Sequence, residues 1–144
     1  MPIATLLNRD MRFFNAAKSA ALESDFKIKV GAVAVYGGKI VASCYSQNKT
    51  HPLQRKYNQY RDFKQEGLVF DKLHAEIGLL AQIKKLDIDM RNVSVYVYRI
   101  CRCREHGMAR PCSGCMKALL DAGIVHVYYS TDIGFAYERI GIAS

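Results

Sequence analysis

The chain has 144 residues, enough for one domain with its own core, and half of them are hydrophobic, which excludes an intrinsically disordered protein. No apolar run approaches the roughly 20 residues needed to cross a bilayer, so we expect no membrane partner. The formal net charge of +8 favours an anionic partner, a nucleotide phosphate or a nucleic-acid backbone, although a basic surface can also serve solubility alone.

The N-terminal residues and the cysteines indicate the compartment. The first residues, MPIATLLNRDMRFF, contain no long apolar core and no small-residue cleavage pattern, so we expect no secretory signal and a cytoplasmic protein. Five cysteines, an odd number, do not favour a disulfide framework. In a reducing compartment a C-x-x-C pair more often indicates metal or redox chemistry.

The first half of the chain predicts a helix, a β-hairpin and a long insertion. Apolar residues recur at helical spacing over 9–23, which indicates a first helix. Two β-rich runs in VGAVAVYGGKIVASCYS flank Gly37-Gly38, a pattern typical of a tight hairpin. Residues 49–70 are polar and aromatic, with five basic residues, and we interpret them as a long insertion loop that is helical in part.

The second half alternates helices with strands. Residues 74–86 predict an amphipathic helix, and 92–100, rich in Val and Tyr, predict a strand. A basic loop leads into a helix over 112–122, which ends at Gly123 because glycine is favoured just past a helix end. Another strand is predicted over 124–130.

The fold class follows from this order of elements. The turn TDIG can bring the last segment, FAYERI, back beside the preceding strand in the antiparallel direction. Helices alternating with strands predict an α/β protein in which helices cover a sheet. Because hairpins occur at both ends, we expect a mixed sheet of about five strands in a single domain over residues 1–144.

Two short motifs bring together the residue types of a zinc centre. His74 lies at one predicted helix start, and Pro111-Cys112-Ser113-Gly114-Cys115 lies at the next. Two cysteines three apart at a helix N-terminus share one face, where the helix also lowers thiol pKa values. One imidazole and two thiolates fill three of zinc's four positions, which leaves one for water, as in catalytic sites.

Glu76, two residues after His74, is predicted to transfer protons rather than to bind the metal. A carboxylate beside the activated water can take its proton and pass it to a substrate. The combined pattern H-x-E, 34 residues, then P-C-x-x-C is the known signature of zinc deaminases of nucleobases. The competing interpretation is a redox C-x-x-C pair with an unrelated surface histidine.

On these motifs the sequence resembles the cytidine and deoxycytidylate deaminase superfamily, in particular its small phage-type or bacterial members, over most of the chain. The resemblance implies a three-layer cytidine-deaminase-like fold, one catalytic zinc per chain and a homo-oligomer. It also implies hydrolytic conversion of cytosine to uracil with release of ammonia. The implied substrate is a free pyrimidine nucleoside or nucleotide, namely cytidine, deoxycytidine or dCMP.

The resemblance further implies a set of substrate contacts. Asn48 would contact the sugar, and Val33 would line the base pocket. The backbone of Ala75 would donate to the pyrimidine carbonyl, and the carbonyl of Arg110 would accept from the exocyclic amine. Two more recognition residues are expected at the end of a strand, namely Tyr129 and Ser130.

The substrate remains open between alternatives. Arginines crowd the loop before the PCSGC motif and favour a phosphate, whereas the short tail after Tyr129 looks more like free cytidine deaminases. The basic and aromatic residues of 49–70 could instead hold single-stranded DNA or RNA, so a polynucleotide cytosine deaminase is the alternative activity. A non-catalytic zinc-stabilised binding module is the second alternative, although such a site needs no acid at Glu76 and would normally have a fourth protein ligand.

A second metal motif lies in the basic loop. Cys101, Cys103 and His106 form C-x-C-x-x-H and could hold a second, structural zinc. Because no fourth ligand is obvious, we favour a basic loop with two free thiols.

Overall fold

Helices and strands alternate along the chain largely as the sequence predicts. The computed structural model describes residues 8–60, 72–102 and 105–141. The described helices are α1 (Asn8–Leu22), α2 (Pro52–Asn58), α3 (Ala75–Ile83) and α4 (Ser113–Ala122), with a 3-10 turn at Met90–Asn92. The described strands are β1 (Val30–Tyr36), β2 (Lys39–Tyr45), β3 (Gln47–Thr50), β4 (Lys72–Leu73), β5 (Ser94–Arg99), β6 (His126–Thr131) and β7 (Gly134–Arg139).

The central sheet is mixed, as predicted. Within the described residues it has five strands in the order β2-β1-β5-β6-β7. β1 is antiparallel to both β2 and β5, β5 is parallel to β6, and β7 returns antiparallel to β6. The short strands β3 and β4 form a separate antiparallel pair. The predicted return of FAYERI is confirmed by β7.

The first hairpin depends on two consecutive glycines. Gly37 and Gly38 have φ angles of +60° and +77°. A two-residue turn with positive φ at both positions matches the right-handed twist of the strands that it joins, and glycine adopts it without steric cost. The turn therefore forms where the sequence predicts it, between β1 and β2.

Helices cover the two faces of the sheet. On one face α1 packs against β1 and β5 through aromatic and small residues such as Phe14 and Tyr96. On the other face α3 and α4 bury Ile77, Leu119 and neighbouring aliphatic residues against the strands. The predicted three-layer α/β fold is confirmed. α1 lies so close to β1 that a Cβ on Gly31 would overlap the backbone carbonyl of Ala17.

The predicted insertion begins with regular structure. β3 and α2 occupy residues 47–58, and the rest of the insertion, residues 61–70, lies outside the described residues together with Asp71. His51 is the N-cap of α2, and its Nδ1 accepts a hydrogen bond from the backbone N–H of Leu53 at 3.1 Å.

Of the helices that the structure describes, none has the length and hydrophobicity to cross a bilayer.

Candidate active site

Three potential metal ligands meet at the N-terminal ends of α3 and α4. His74 is the residue that precedes α3, Cys112 precedes α4, and Cys115 lies in the first turn of α4. Nδ1 of His74 lies 3.2 Å from Sγ of Cys115 and 3.7 Å from Sγ of Cys112. All three atoms lie within 4.8 Å of one another, and no other group of His, Cys, Asp or Glu side chains in the described residues has this spacing.

These separations fit a zinc ion. Zn–S bonds of about 2.3 Å and Zn–N bonds of about 2.0–2.1 Å at tetrahedral angles place the nitrogen and sulfur ligands about 3.6 Å apart. The two observed N–S distances of 3.2 and 3.7 Å lie on either side of that value. A hydrogen bond from Cys115 and the nearby His74 outweigh burial and lower the pKa of Cys112 to about 4. Cys112 is thus held as the thiolate that zinc binds.

Glu76 lies in the first turn of α3 beside these ligands and is only 5% exposed. Burial raises the pKa of its carboxyl above the ordinary value; His74 opposes this shift, and Cys112 adds to it. Buried carboxyls with a raised pKa beside a charged partner are typical of groups that accept and release protons in active sites. Glu76 therefore has the burial and the setting of a general acid–base group.

A cavity of about 190 Å³ opens beside His74, Glu76 and Cys112. Arg99 and Arg110 contribute the basic part of its wall. The apolar part of the wall comes from the segment before β1, the first residue of β1 and the loop before α4, at Phe26, Ile28, Val30, Met108 and Ala109. A small planar molecule with an anionic group would find matching surfaces here.

The two arginines of the cavity have different partners. Arg110 donates from Nε and Nη2 to the carboxylate of Glu138, at 2.7 Å and 3.2 Å. Tyr129 also hydrogen-bonds Glu138; burial, and then this carboxylate, raise the pKa of Tyr129 to about 12. In the part of the chain that the structure describes, no carboxylate pairs with the guanidinium of Arg99.

The sequence matches the family model of the cytidine and deoxycytidylate deaminase zinc-binding region over residues 7–131. The chain belongs to this deaminase family. The resemblance predicted from the H-x-E and P-C-x-x-C motifs is confirmed, and so is zinc as the cofactor, which His74, Cys112 and Cys115 could hold. No curated protein sequence matches the chain at a significant level.

Solved structures of deaminases share the fold of the chain. The dCMP deaminase of cyanophage S-TIM5 in apo form has a TM-score of 0.60 at 21% identity, covering 88% of this chain and 86% of that chain. The same enzyme in complex with dCMP and dUMP has a TM-score of 0.60 at 20% identity, covering 89% and 85%. The cytidine deaminase of Burkholderia pseudomallei has a TM-score of 0.61 at 16% identity, covering 94% of each chain.

In this deaminase two of the predicted substrate-contact residues line the cavity. Ala75 is the first residue of α3 and is fully buried. Its N–H points out of the helix end, where no intrahelical acceptor exists. Arg110 also lies in the wall, two residues before Cys112 in the chain. Their contacts with a substrate remain predictions.

The structure does not bring Val33 or Asn48 to the cavity. Side chains alternate between the faces of a strand, so Val30 lies in the cavity wall whereas Val33 is buried against α1. Val30 is thus the β1 residue in the cavity wall, and a substrate contact of Val33 stays a prediction. Asn48 is exposed in β3, and its backbone N–H donates to Asp25 at 3.4 Å.

Tyr129 and Ser130 form hydrogen bonds with other residues of the deaminase. Both are buried, and neither lies in the cavity wall. The Ser130 hydroxyl donates to the carbonyl of Gly107 at 2.8 Å and accepts from the backbone N–H of Arg99 at 3.1 Å. The two residues therefore support the basic segments around the cavity, and a direct contact of either with the substrate stays a prediction.

Several residues that line the cavity were not predicted from the sequence. Phe26 and Ile28 follow α1 in an irregular segment with no periodicity that could assign them to a site. Ser46 follows β2 and donates its hydroxyl to the carbonyl of Ile28 at 2.7 Å, which holds that segment at the cavity. The sequence analysis predicted a substrate contact close by, at Asn48, but not at Ser46.

The second zinc motif gains no support in the described residues. Nδ1 of His106 lies 2.8 Å from the hydroxyl of Tyr98, and the only ligand cluster found there is that of His74. Cys101 is half-buried, and Cys103 lies outside the described residues.

Proposed function

We propose that this deaminase hydrolyses the cytosine base of a free nucleotide or nucleoside to uracil and ammonia, with a phosphate-bearing nucleotide as the preferred substrate. One observation carries the proposal. A single cavity is lined by a buried carboxyl, Glu76, by two of the three potential zinc ligands, His74 and Cys112, and by two arginines.

His74, Cys112 and Cys115 would hold the zinc ion. Zinc, when bound, lowers the pKa of a water molecule and so makes it a nucleophile at neutral pH. Glu76 would accept a proton from the attacking water and deliver it to ring nitrogen N3. As the C4–amine bond breaks, Glu76 would pass the water's second proton to the amine. Water and cytosine then become uracil and ammonia, with Glu76 returned to its starting state.

Backbone groups would orient the base. The N–H of Ala75 is buried at the start of α3 and has no acceptor within the helix, so a base carbonyl is a fitting partner. The carbonyl of Arg110, another residue of the cavity wall, would accept a hydrogen bond from the exocyclic amine. These two contacts would select cytosine by its hydrogen-bonding edge.

The arginines favour a nucleotide over a nucleoside. Arg99 also lies in the cavity wall, and among the described residues no carboxylate pairs with its guanidinium, which would be available to an anionic group of the substrate. Arginine recognises phosphate through charge-assisted, often bidentate hydrogen bonds. The charge of Arg110, in contrast, is largely compensated by Glu138. Arg99 is thus the proposed phosphate-binding residue.

A polynucleotide substrate is the second candidate. Cavities beside α2 are lined by basic residues of the predicted insertion and of the segment after α3, namely His51, Arg55, Lys56, Lys84 and Lys85. A basic groove of this kind can follow a single-stranded backbone. The same assay distinguishes this candidate from the first.

The experiment is a substrate panel for the purified protein loaded with zinc. Cytidine, deoxycytidine, dCMP, dCTP and a cytosine-containing single-stranded DNA are compared by ammonia release and uracil formation. We expect dCMP to exceed deoxycytidine by at least about 10-fold in kcat/KM, the scale of one good charged contact. Activity on the oligonucleotide alone would favour the second candidate. A zinc-loaded protein that deaminates none of these compounds would overturn the proposed function.

A further inference from the structure

Gln54 in α2 is a fully buried amide that the proposed chemistry does not use, with an exposure of 0%. Its side-chain oxygen accepts a hydrogen bond from the backbone N–H of His74 at 3.0 Å. Its side-chain nitrogen donates to Oδ1 of Asn58, one turn later, at 2.8 Å. Asn58 is itself only 6% exposed. Asn58 thus fixes the orientation of the Gln54 amide, and the amide oxygen in turn binds the backbone of His74.

The backbone N–H of His74 lies before the first residue of α3, outside the hydrogen bonds that the helix makes within itself. His74 precedes α3 in an extended conformation, with φ −80° and ψ 153°, and its side chain makes no capping hydrogen bond to the helix. A partly buried backbone N–H without an acceptor is costly, so the local backbone would shift if Gln54 were lost. Such a shift would move the imidazole relative to both sulfur atoms.

α2 is also anchored to the helix that carries the cysteines. The hydroxyl of Tyr57 donates to Oδ2 of Asp121 in α4 at 2.9 Å. α2 therefore contacts the histidine side of the centre through Gln54 and the cysteine-bearing helix through Tyr57. This helix, predicted only as part of an insertion, thus links the residue before α3 with the C-terminal end of α4.

We propose that Gln54 is a positioning residue for the metal centre. Its amide oxygen fixes the backbone of His74 so that the imidazole is preorganised opposite Cys112 and Cys115. The inference rests on the proposed function in that it takes these three residues as the zinc ligands. Groups that hold metal ligands in place typically change metal affinity by 10–100-fold when they are removed.

The test measures zinc affinity by competition with a fluorescent chelator. Gln54→Met keeps the length of the side chain but removes the acceptor, and it is expected to weaken zinc binding by 10–100-fold. The cobalt-substituted protein gives a second readout, because its visible spectrum changes when the ligand geometry changes.

Tyr96→Phe is the matched control for a general loss of stability. It removes a buried hydrogen bond of 2.6 Å to Asp10 on the other face of the sheet, away from the ligands. It should lower the melting temperature while leaving zinc affinity within about threefold. If Gln54→Met does not fold, Gln54→Asn, whose amide is one methylene too short to reach His74, takes its place with the same expectation.

The outcomes are separable. Zinc affinity of Gln54→Met, or of Gln54→Asn in its place, within threefold of the wild type would overturn the positioning role and leave the proposed function intact. A loss of zinc affinity in Tyr96→Phe as large as that in Gln54→Met would also overturn the positioning role. A folded wild-type chain that binds no zinc would overturn the proposed function, and this inference with it.

Discussion

Glu138, in the last strand, binds the guanidinium of Arg110 through two hydrogen bonds, although the two residues lie 28 positions apart. Tyr129 belongs to the same cluster through its contact with Glu138. Because Arg110 lies two residues before Cys112, β7 anchors the loop that leads into the cysteine-bearing helix α4. The strand return thus stabilises one wall of the cavity.

The Glu138 cluster predicts a pH dependence of stability. Burial alone would raise the pKa of Glu138, but hydrogen bonds from Arg110 and Tyr129 outweigh burial and hold the pKa below its ordinary value of 4.5. A carboxyl with a lowered folded-state pKa contributes stability above its unfolded pKa and loses it as the pH falls through the folded one. We expect Glu138→Gln to lower the free energy of unfolding by about 1–2 kcal/mol at pH 7.

The difference between Glu138→Gln and the wild type should shrink as the pH falls below 4.5. Urea unfolding at intervals between about pH 3.5 and 7 measures it. An identical difference at both ends of this range would show that the lowered pKa contributes nothing to stability.

Glu76→Gln tests the proton-transferring group. The amide keeps the shape of the side chain but cannot accept the proton, so ammonia release from the best substrate should fall by about 10²–10⁴-fold. Zinc content, measured by atomic spectroscopy, should stay near one ion per chain. Glu23→Gln, an exposed change just after α1, is the control and should keep wild-type activity. Full activity in Glu76→Gln would refute its role.

Arg99→Ala separates phosphate recognition from base chemistry. Without the guanidinium, KM for dCMP should rise by about 10-fold or more, while kcat/KM for deoxycytidine stays unchanged. Arg91→Ala is the control, because Arg91 is exposed and pairs with Asp89 outside the cavity wall. Equal losses on the two substrates would assign Arg99 a structural role instead.

Zinc removal should affect both stability and activity. A ligand that binds only the folded chain stabilises it, so chelation should lower the melting temperature, and added zinc should restore it together with ammonia release. Cys112→Ala should abolish this response. Cys44→Ala, which changes a buried cysteine outside the ligand cluster, should preserve it. A melting temperature that is insensitive to zinc in the wild type would contradict the site.

Gly31→Ala tests the close packing of α1 on β1. The added Cβ would overlap the backbone carbonyl of Ala17, which a side-chain rotation does not relieve. We expect a loss of at least about 2 kcal/mol in the free energy of unfolding. Gly37→Ala meets no neighbour within 4 Å and should cost only about 1 kcal/mol, from its positive φ. Denaturant titration compares the two, and equal losses would contradict the packing argument.

The sequence by itself determined the features that depend on short stretches of chain. Gly37-Gly38 indicates the first hairpin because two positive φ angles strongly favour glycine, and Gly123 ends α4 for the same reason, with φ +94°. The sequence also indicated the chemistry of the site. The residue types of His74, Glu76 and the PCSGC motif are those of a zinc deaminase, and their placement at helix starts follows from local periodicity.

The tertiary structure decided which distant residues meet. Strand order, and the register that turns Val30 but not Val33 to the cavity, arise from packing between elements far apart in the chain. The hydrogen bonds of Gln54 to His74, and of Glu138 to Arg110, join residues 20 and 28 positions apart. Propensity and periodicity describe only neighbours along the chain, whereas these contacts form when the whole core closes.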